Sequence, residues 1–167
     1  NHPVWSRVIP EEFINTAGLT AIEIFNYNTV NESGTGYDTT YWDLMLRTGC
    51  HINATASDDN HNEGLFPDSC GGYVMVKADE LEHDAIIKAL TEGNYYSSSG
   101  PEIYDWGIKD GKVFIRCSPV RRINFIAGNM LNYGGTIMSG NADECIDKGE
   151  MELKGKENYV RAECIDR

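Results

Sequence analysis

Strand-like and helix-like runs alternate over residues 1–95, and from residue 101 onward only strand signals remain. Together they predict an α/β fold: a parallel arrangement of strands and helices, then an antiparallel β unit packed beside it. The change is marked in the chain itself. Tyr95-Tyr96-Ser97-Ser98-Ser99-Gly100-Pro101 ends all helical periodicity, and Asp110-Gly111 between two apolar runs is a strong two-residue hairpin signal. The division falls between 1–95 and 96–167.

Each element has its own signals. Pro10 to Ala17 (PEEFINTA) predicts a short helix, with Pro at a first helical position, Glu11 and Glu12 in the first turn and Gly18 beyond its end. AIEIFN at 21–26 is a β-rich run, after which Asn26 and Asn28 lead into a glycine-rich connection, Ser33-Gly34-Thr35-Gly36. Thr40 to Thr48 is apolar at helical spacing, with Asp43 three residues after Thr40 and Gly49 as a stop. INATAS at 52–57 reads as a strand ending at two acids, and GYVMVKA at 72–78 as a stronger one. Asp79 caps a predicted helix over 79–92, with Leu81, Ala85, Ile86, Ala89 and Leu90 on one face and Gly93 as its stop. In the tail, 103–117 reads as a hairpin, and 123–127, 136–139 and 159–165 as further strands, punctuated by Ser118-Pro119 and Gly134-Gly135.

Charge narrows the function. Acidic residues outnumber basic ones 26 to 14, a net charge of -12, and such a surface repels a phosphate backbone unless cations intervene, so stable nucleic-acid binding is not expected. No apolar run approaches the ~20 residues that cross a bilayer, so no membrane partner is expected either. The five cysteines are scattered without a C-x-x-C pair, which favours reduced, structural thiols and a cytoplasmic setting.

Three residues are good metal ligands placed just after predicted strands: His2 in Asn1-His2-Pro3, and Asp59 and His61 in Ser57-Asp58-Asp59-Asn60-His61. A carboxylate and an imidazole two residues apart at a strand end can point into one mouth, and that donor pair suits zinc, manganese or iron. His51, beside Cys50, and His83 read as structural or solvated.

NHPVWSR, AIEIFN, WDLMLRTG, ASDDNH and ALTEGNYYSSSGPEI, in this order and spacing, resemble the second half of the polymerase and histidinol phosphatase (PHP) family. The likeness covers nearly the whole chain and is nearest to the carbaryl-hydrolase-like branch, whose β-rich tail follows an SSGPEI-like segment. It implies the C-terminal portion of a distorted (β/α) barrel holding two or three divalent metal ions, with His2, Asp59 and His61 as ligands. Asp58 and Glu23 fall where they would orient ligands or bound water.

The resemblance also implies a partner, the N-terminal half of the barrel, since the family's His-x-His pair and further ligands would lie upstream of Asn1 and one more strand would follow the chain's end. The expected activity of the whole is phosphoester hydrolysis by metal-activated water on small phosphorylated molecules, while this chain alone would bind metal weakly and be nearly inactive. Two other readings stand beside it. One is hydrolysis of a non-phosphate ester by the same fold. The other is a non-catalytic binding or structural module whose β-rich tail packs on another domain or subunit.

Overall fold

A computed structural model of the chain describes residues 2–62, 67–129, 134–141 and 143–166. It separates into two compact units, Asn1–Gly100 and Pro101–Arg167.

In the first unit, β1 (Ala21–Asn26) and β2 (Asn53–Ser57) pair in parallel. Their alternation buries Ile22, Ile24, Ala54 and Ala56 on one face. Helix α4 (Thr39–Arg47) lays Met45 against that face, and the Trp42 indole N–H donates to the Ile52 carbonyl at 2.8 Å. The short helices α1 (Pro3–Ser6) and α2 (Pro10–Phe13) each begin on a proline, whose fixed φ suits a first helical position. Glu12 closes the start of α2 by accepting from the Ile9 N–H at 2.9 Å.

Residues 27–33, expected to be part of a glycine-rich connection, form helix α3 (Tyr27–Ser33). Asn26 caps its start and Gly34 ends it in the left-handed conformation. Strands β3 (Tyr73–Val76) and β4 (Tyr95–Ser98) pair antiparallel, with helix α5 (His83–Glu92) between them in sequence. The helix starts three residues later than an Asp79 cap implies: its cap is Glu82, and Leu81 is almost wholly exposed.

The barrel expectation is therefore wrong. Strand accounts for 38% and helix 22% of the described residues, arranged in four small sheets of which only β1–β2 is parallel, and no barrel closes. The reason lies in the α5 connection. It returns the chain antiparallel, so β3–α5–β4 is not the right-handed parallel crossover from which (β/α) barrels are built.

The second unit is antiparallel throughout. β5 (Ile103–Lys109), β6 (Lys112–Val120) and β9 (Ile146–Glu152) form one sheet; β10 (Val160–Ile165), β7 (Arg122–Ala127) and β8 (Gly134–Met138) form the other. Asp110 (φ 51°) and Gly111 (φ 74°) make the tight turn between β5 and β6, where two successive positive φ values favour the Asp-Gly pair. Pro119 does not end a strand as expected. It lies within β6 where the pairing with β9 shifts register between Arg116 and Val120, a position that needs no ladder donor. Val113, Ile115, Cys117, Val120, Ile123 and Phe125 form the core between the two sheets. Gly149 leaves the space that the Ile137 side chain fills.

All five cysteines are free. Burial, with the Cys117 thiol beside it, pushes the Cys164 thiol up to about 12, so both sulfurs stay protonated and act as packing atoms. Among the described residues no helix is long and apolar enough to cross a membrane.

Candidate functional site

The C-terminal ends of β1 and β2 open into a polar cavity of about 590 Å³ in the first unit. His2, Glu23, Asp59 and His61 all line it, so four of the five residues chosen from sequence meet at one mouth. Asn26, Asn28, Thr29, Glu32, Ser57 and Asp68 complete the polar wall, with Trp5 beside them. Asn1 of the His-Pro motif lies outside the described residues.

Asn26, only 2% exposed, organises the floor. Its side-chain amide donates to Glu23 at 3.1 Å and to Asp59 at 3.2 Å, and its side-chain oxygen accepts from both the backbone N–H and the hydroxyl of Thr29 at 3.0 Å. Glu23 also accepts from the Ser57 hydroxyl at 2.5 Å. A bulge between Glu23 and Phe25 sets this geometry, because the shifted register puts Asn26 opposite Ser57. Asp59 holds a left-handed φ of 52°, a conformation uncommon outside glycine that recurs at functional sites.

His2 is 3% exposed, and its ring lies between Asp38 and Thr29. Nδ1 stands 3.4 Å from one Asp38 carboxylate oxygen and Nε2 3.5 Å from the Thr29 hydroxyl. Asp38 is wholly buried, and its other oxygen accepts from the Val4 N–H at 2.7 Å. Burial pushes the Asp38 carboxyl above the ordinary carboxylate range, while the Val4 N–H and the His2 ring pull it part of the way back. Trp5, 55% exposed, stands with its ring 5.9 Å from that of His2 at the rim.

The loop after β2 is held by acids. Asp68 accepts from the His61 N–H at 2.8 Å and from the Asn60 amide at 3.1 Å, and the His61 ring faces the Asn28 amide at 3.5 Å. Asp58 points away from the cavity and accepts from the backbone N–H groups of Cys70, Gly71 and Gly72 at 2.6 to 2.8 Å. The chain passes so close to the Tyr27 ring at Gly71 that a Cβ there would overlap it. Desolvation raises the Asp58 carboxyl, but the three backbone donors outweigh it and hold the group below its ordinary value.

That clamp yields a pH prediction. A carboxyl whose folded pKa is depressed contributes stability that is present above its unfolded value, ~4, and lost as pH falls through the folded one. Asp58→Ala is expected to destabilise the first unit by about 2 kcal/mol at neutral pH. The gap from wild type should shrink below pH ~4. Urea denaturation across pH 2 to 7 checks both, and an equal deficit at both ends would refute the assignment.

The ligand expectation needs correction. Among the described residues no three His, Cys, Asp or Glu side chains form a group that could hold a metal ion, so His2, Asp59 and His61 are not a preformed zinc, manganese or iron triad. Each is tied to a different wall: His2 beside Asp38, Asp59 to the Asn26 amide, and the His61 ring beside Asn28. His51 and His83 are exposed, and His83 faces Asp84.

Asp38, Thr29 and Asp68 escaped the sequence reading. A signal for Asp38 was present, since Asp before Thr39-Thr40 is an N-cap pattern, yet its side chain makes no cap hydrogen bond to α4 and turns to Val4 and His2 instead. Asp68 carried no signal beyond its acidity. Comparison of the chain with protein-family models, with curated proteins and with solved structures finds no match.

Proposed function

We propose that the cavity of the first unit is the hydrolytic site of a divalent-cation-dependent phosphoesterase for small phosphorylated molecules, the activity that the resemblance to the PHP family implies. The observation that supports this most is charge. The described lining carries Glu23, Glu32, Asp59 and Asp68 beside two imidazoles, with no Lys or Arg. Such a wall repels a bare phosphate ester and attracts a cation, so an anionic substrate suits it as a cation complex.

A preformed cage of ligands is not required for this. A hard cation such as Mg²⁺ keeps several waters and is held by one or two carboxylates together with substrate phosphate oxygens. Glu23 and Asp59, which share the Asn26 amide, are the two that would hold it. When bound, the cation supplies charge for the phosphate oxygens and lowers the pKa of a water. The chain's own groups do the positioning: Asn26 and Ser57 fix the two carboxylates, and Asp68 fixes the backbone that carries His61. A cavity of about 590 Å³ suits a small molecule.

The test is turnover of a generic phosphate monoester by the complete protein, this chain together with the N-terminal half that the resemblance implies, with Mg²⁺ or Mn²⁺ and with chelator; the chain alone is expected to be nearly inactive. Cation-dependent turnover is expected, reduced about 10- to 100-fold in Glu23→Gln and in Asp59→Asn. Turnover that ignores chelator, or wild-type rates in both variants, would overturn the reading. Carboxylic esters in the same panel separate the non-phosphate alternative. Absence of turnover on every ester would favour the binding-module reading.

A further inference from the structure

We infer that Asp38 is a positioning residue that holds His2 as its Nδ1–H tautomer and so turns a bare Nε2 lone pair toward the cavity. The argument is one of donors and acceptors. His2 Nδ1 and the nearer Asp38 oxygen are both buried, stand 3.4 Å apart, and have no other hydrogen-bond partner. The Val4 N–H anchors the opposite oxygen of Asp38, which fixes the direction in which the free oxygen points. A neutral imidazole carries one N–H. If that hydrogen were on Nε2, the Nδ1 lone pair would face a buried carboxylate, two acceptors pressed together at atoms closed off from bulk solvent. With the hydrogen on Nδ1, the contact is attractive, and closing it by about half an ångström would make it a charge-assisted hydrogen bond.

Thr29 completes the case on the other side of the ring. Its hydroxyl lies 3.5 Å from Nε2, but the nearer acceptors for its hydrogen are on Asn26, the side-chain oxygen at 3.0 Å and the backbone carbonyl at 3.4 Å. Nε2 therefore receives no donor from Thr29 and keeps its lone pair for whatever enters the cavity: a cation, or a proton from a substrate or water. Asp38 makes this arrangement while forgoing the cap bond its place at the start of α4 would allow. The consequence for catalysis rests on the cavity being hydrolytic; the tautomer itself does not.

Long-range ¹H–¹⁵N spectra of the histidine-labelled chain, free of metal and at a pH where the ring is neutral, test it directly. The His2 signals are assigned by their loss in His2→Gln. The expected pattern is a protonated Nδ1 and a bare Nε2. In Asp38→Asn the amide keeps an acceptor for Val4 and presents its NH₂ to Nδ1, so the ring is expected to switch to Nε2–H, with Mn²⁺ broadening of the His2 signals weakened about 10- to 100-fold in apparent affinity. A wild-type ring carrying its hydrogen on Nε2, as a protonated Asp38 would impose, or carrying both hydrogens, overturns the inference. The wild-type spectrum decides even if Asp38→Asn fails to fold. The Nδ1–H tautomer in a complete protein without esterase activity would overturn the proposed function and leave the Asp38–His2 assignment standing.

Discussion

Asn26→Ala is expected to destabilise the first unit by about 3 to 5 kcal/mol, from three separate losses. The first is the cap of α3, where the Asn26 oxygen accepts from the Thr29 N–H, worth about 1 kcal/mol. The second is the donor shared by Glu23 and Asp59; hydrogen bonds to charged groups contribute about 1.5 to 3 kcal/mol each when buried, and these are only part-buried. The third is the acceptor for the Thr29 hydroxyl, at a position where water has little access. Urea denaturation followed through amide signals of residues 2–100 measures the total. A loss under ~1 kcal/mol would mean that the carboxylates re-pair without Asn26 and that it is not the organiser of the floor.

In the second unit, Ile115→Ala is expected to cost about 3.5 kcal/mol, near the middle of the range for truncating a buried branched side chain. Ile115 is 1% exposed, on the central strand of its sheet, opposite Trp106 on β5 and Gly149 on β9. The Gly149 position offers no side chain to relax into the void, so collapse is limited and the cavity term persists. The denaturation midpoint of signals from residues 101–166 should fall with an unchanged slope. A loss below ~1 kcal/mol would show that the two sheets close up around the missing atoms.

How much of this was legible in the sequence follows from how local each signal is. The Asp110-Gly111 hairpin was readable because two residues carry the whole instruction, and β1, β2 and α4 were readable because their periodicity is complete within five to nine residues. The β9 run, Ile146–Glu152, was missed: it places charges at four of its seven positions and draws its strand character from pairing with β6. Helix α3 was missed because the glycines that follow it dominated the reading, although Asn26 and Gly34 stand at its two ends. The direction in which α5 returns the chain is not written in any short run, and that is where the barrel expectation failed.

At the site, the end of the second strand showed that Asp59 and His61 could point into one mouth, whereas His2 and Glu23 were assigned to it only through the family resemblance. Partner choice was hidden. Nothing in the local spacing of His2 tells that a residue 36 positions away, Asp38, stands beside its ring. Nor does Asp58 reveal that its oxygens are spent on three backbone N–H groups rather than on the cavity.

The pairings of the second unit differ widely in the length of chain they close. The turn at Asp110-Gly111 brings β5 onto β6 at once, and such hairpins form in about 1 to 10 μs. β9 must reach back to β6 past β7 and β8, and β10 must return to lie along β7, joining Val160 to Ala127 and Ile165 to Arg122. Each of those closures meets its entropy cost before any hydrogen bond is gained. Assembly of residues 101–166 thus has a built-in direction: it begins at one two-residue turn, and its slow steps belong to the two strands that come last in the chain.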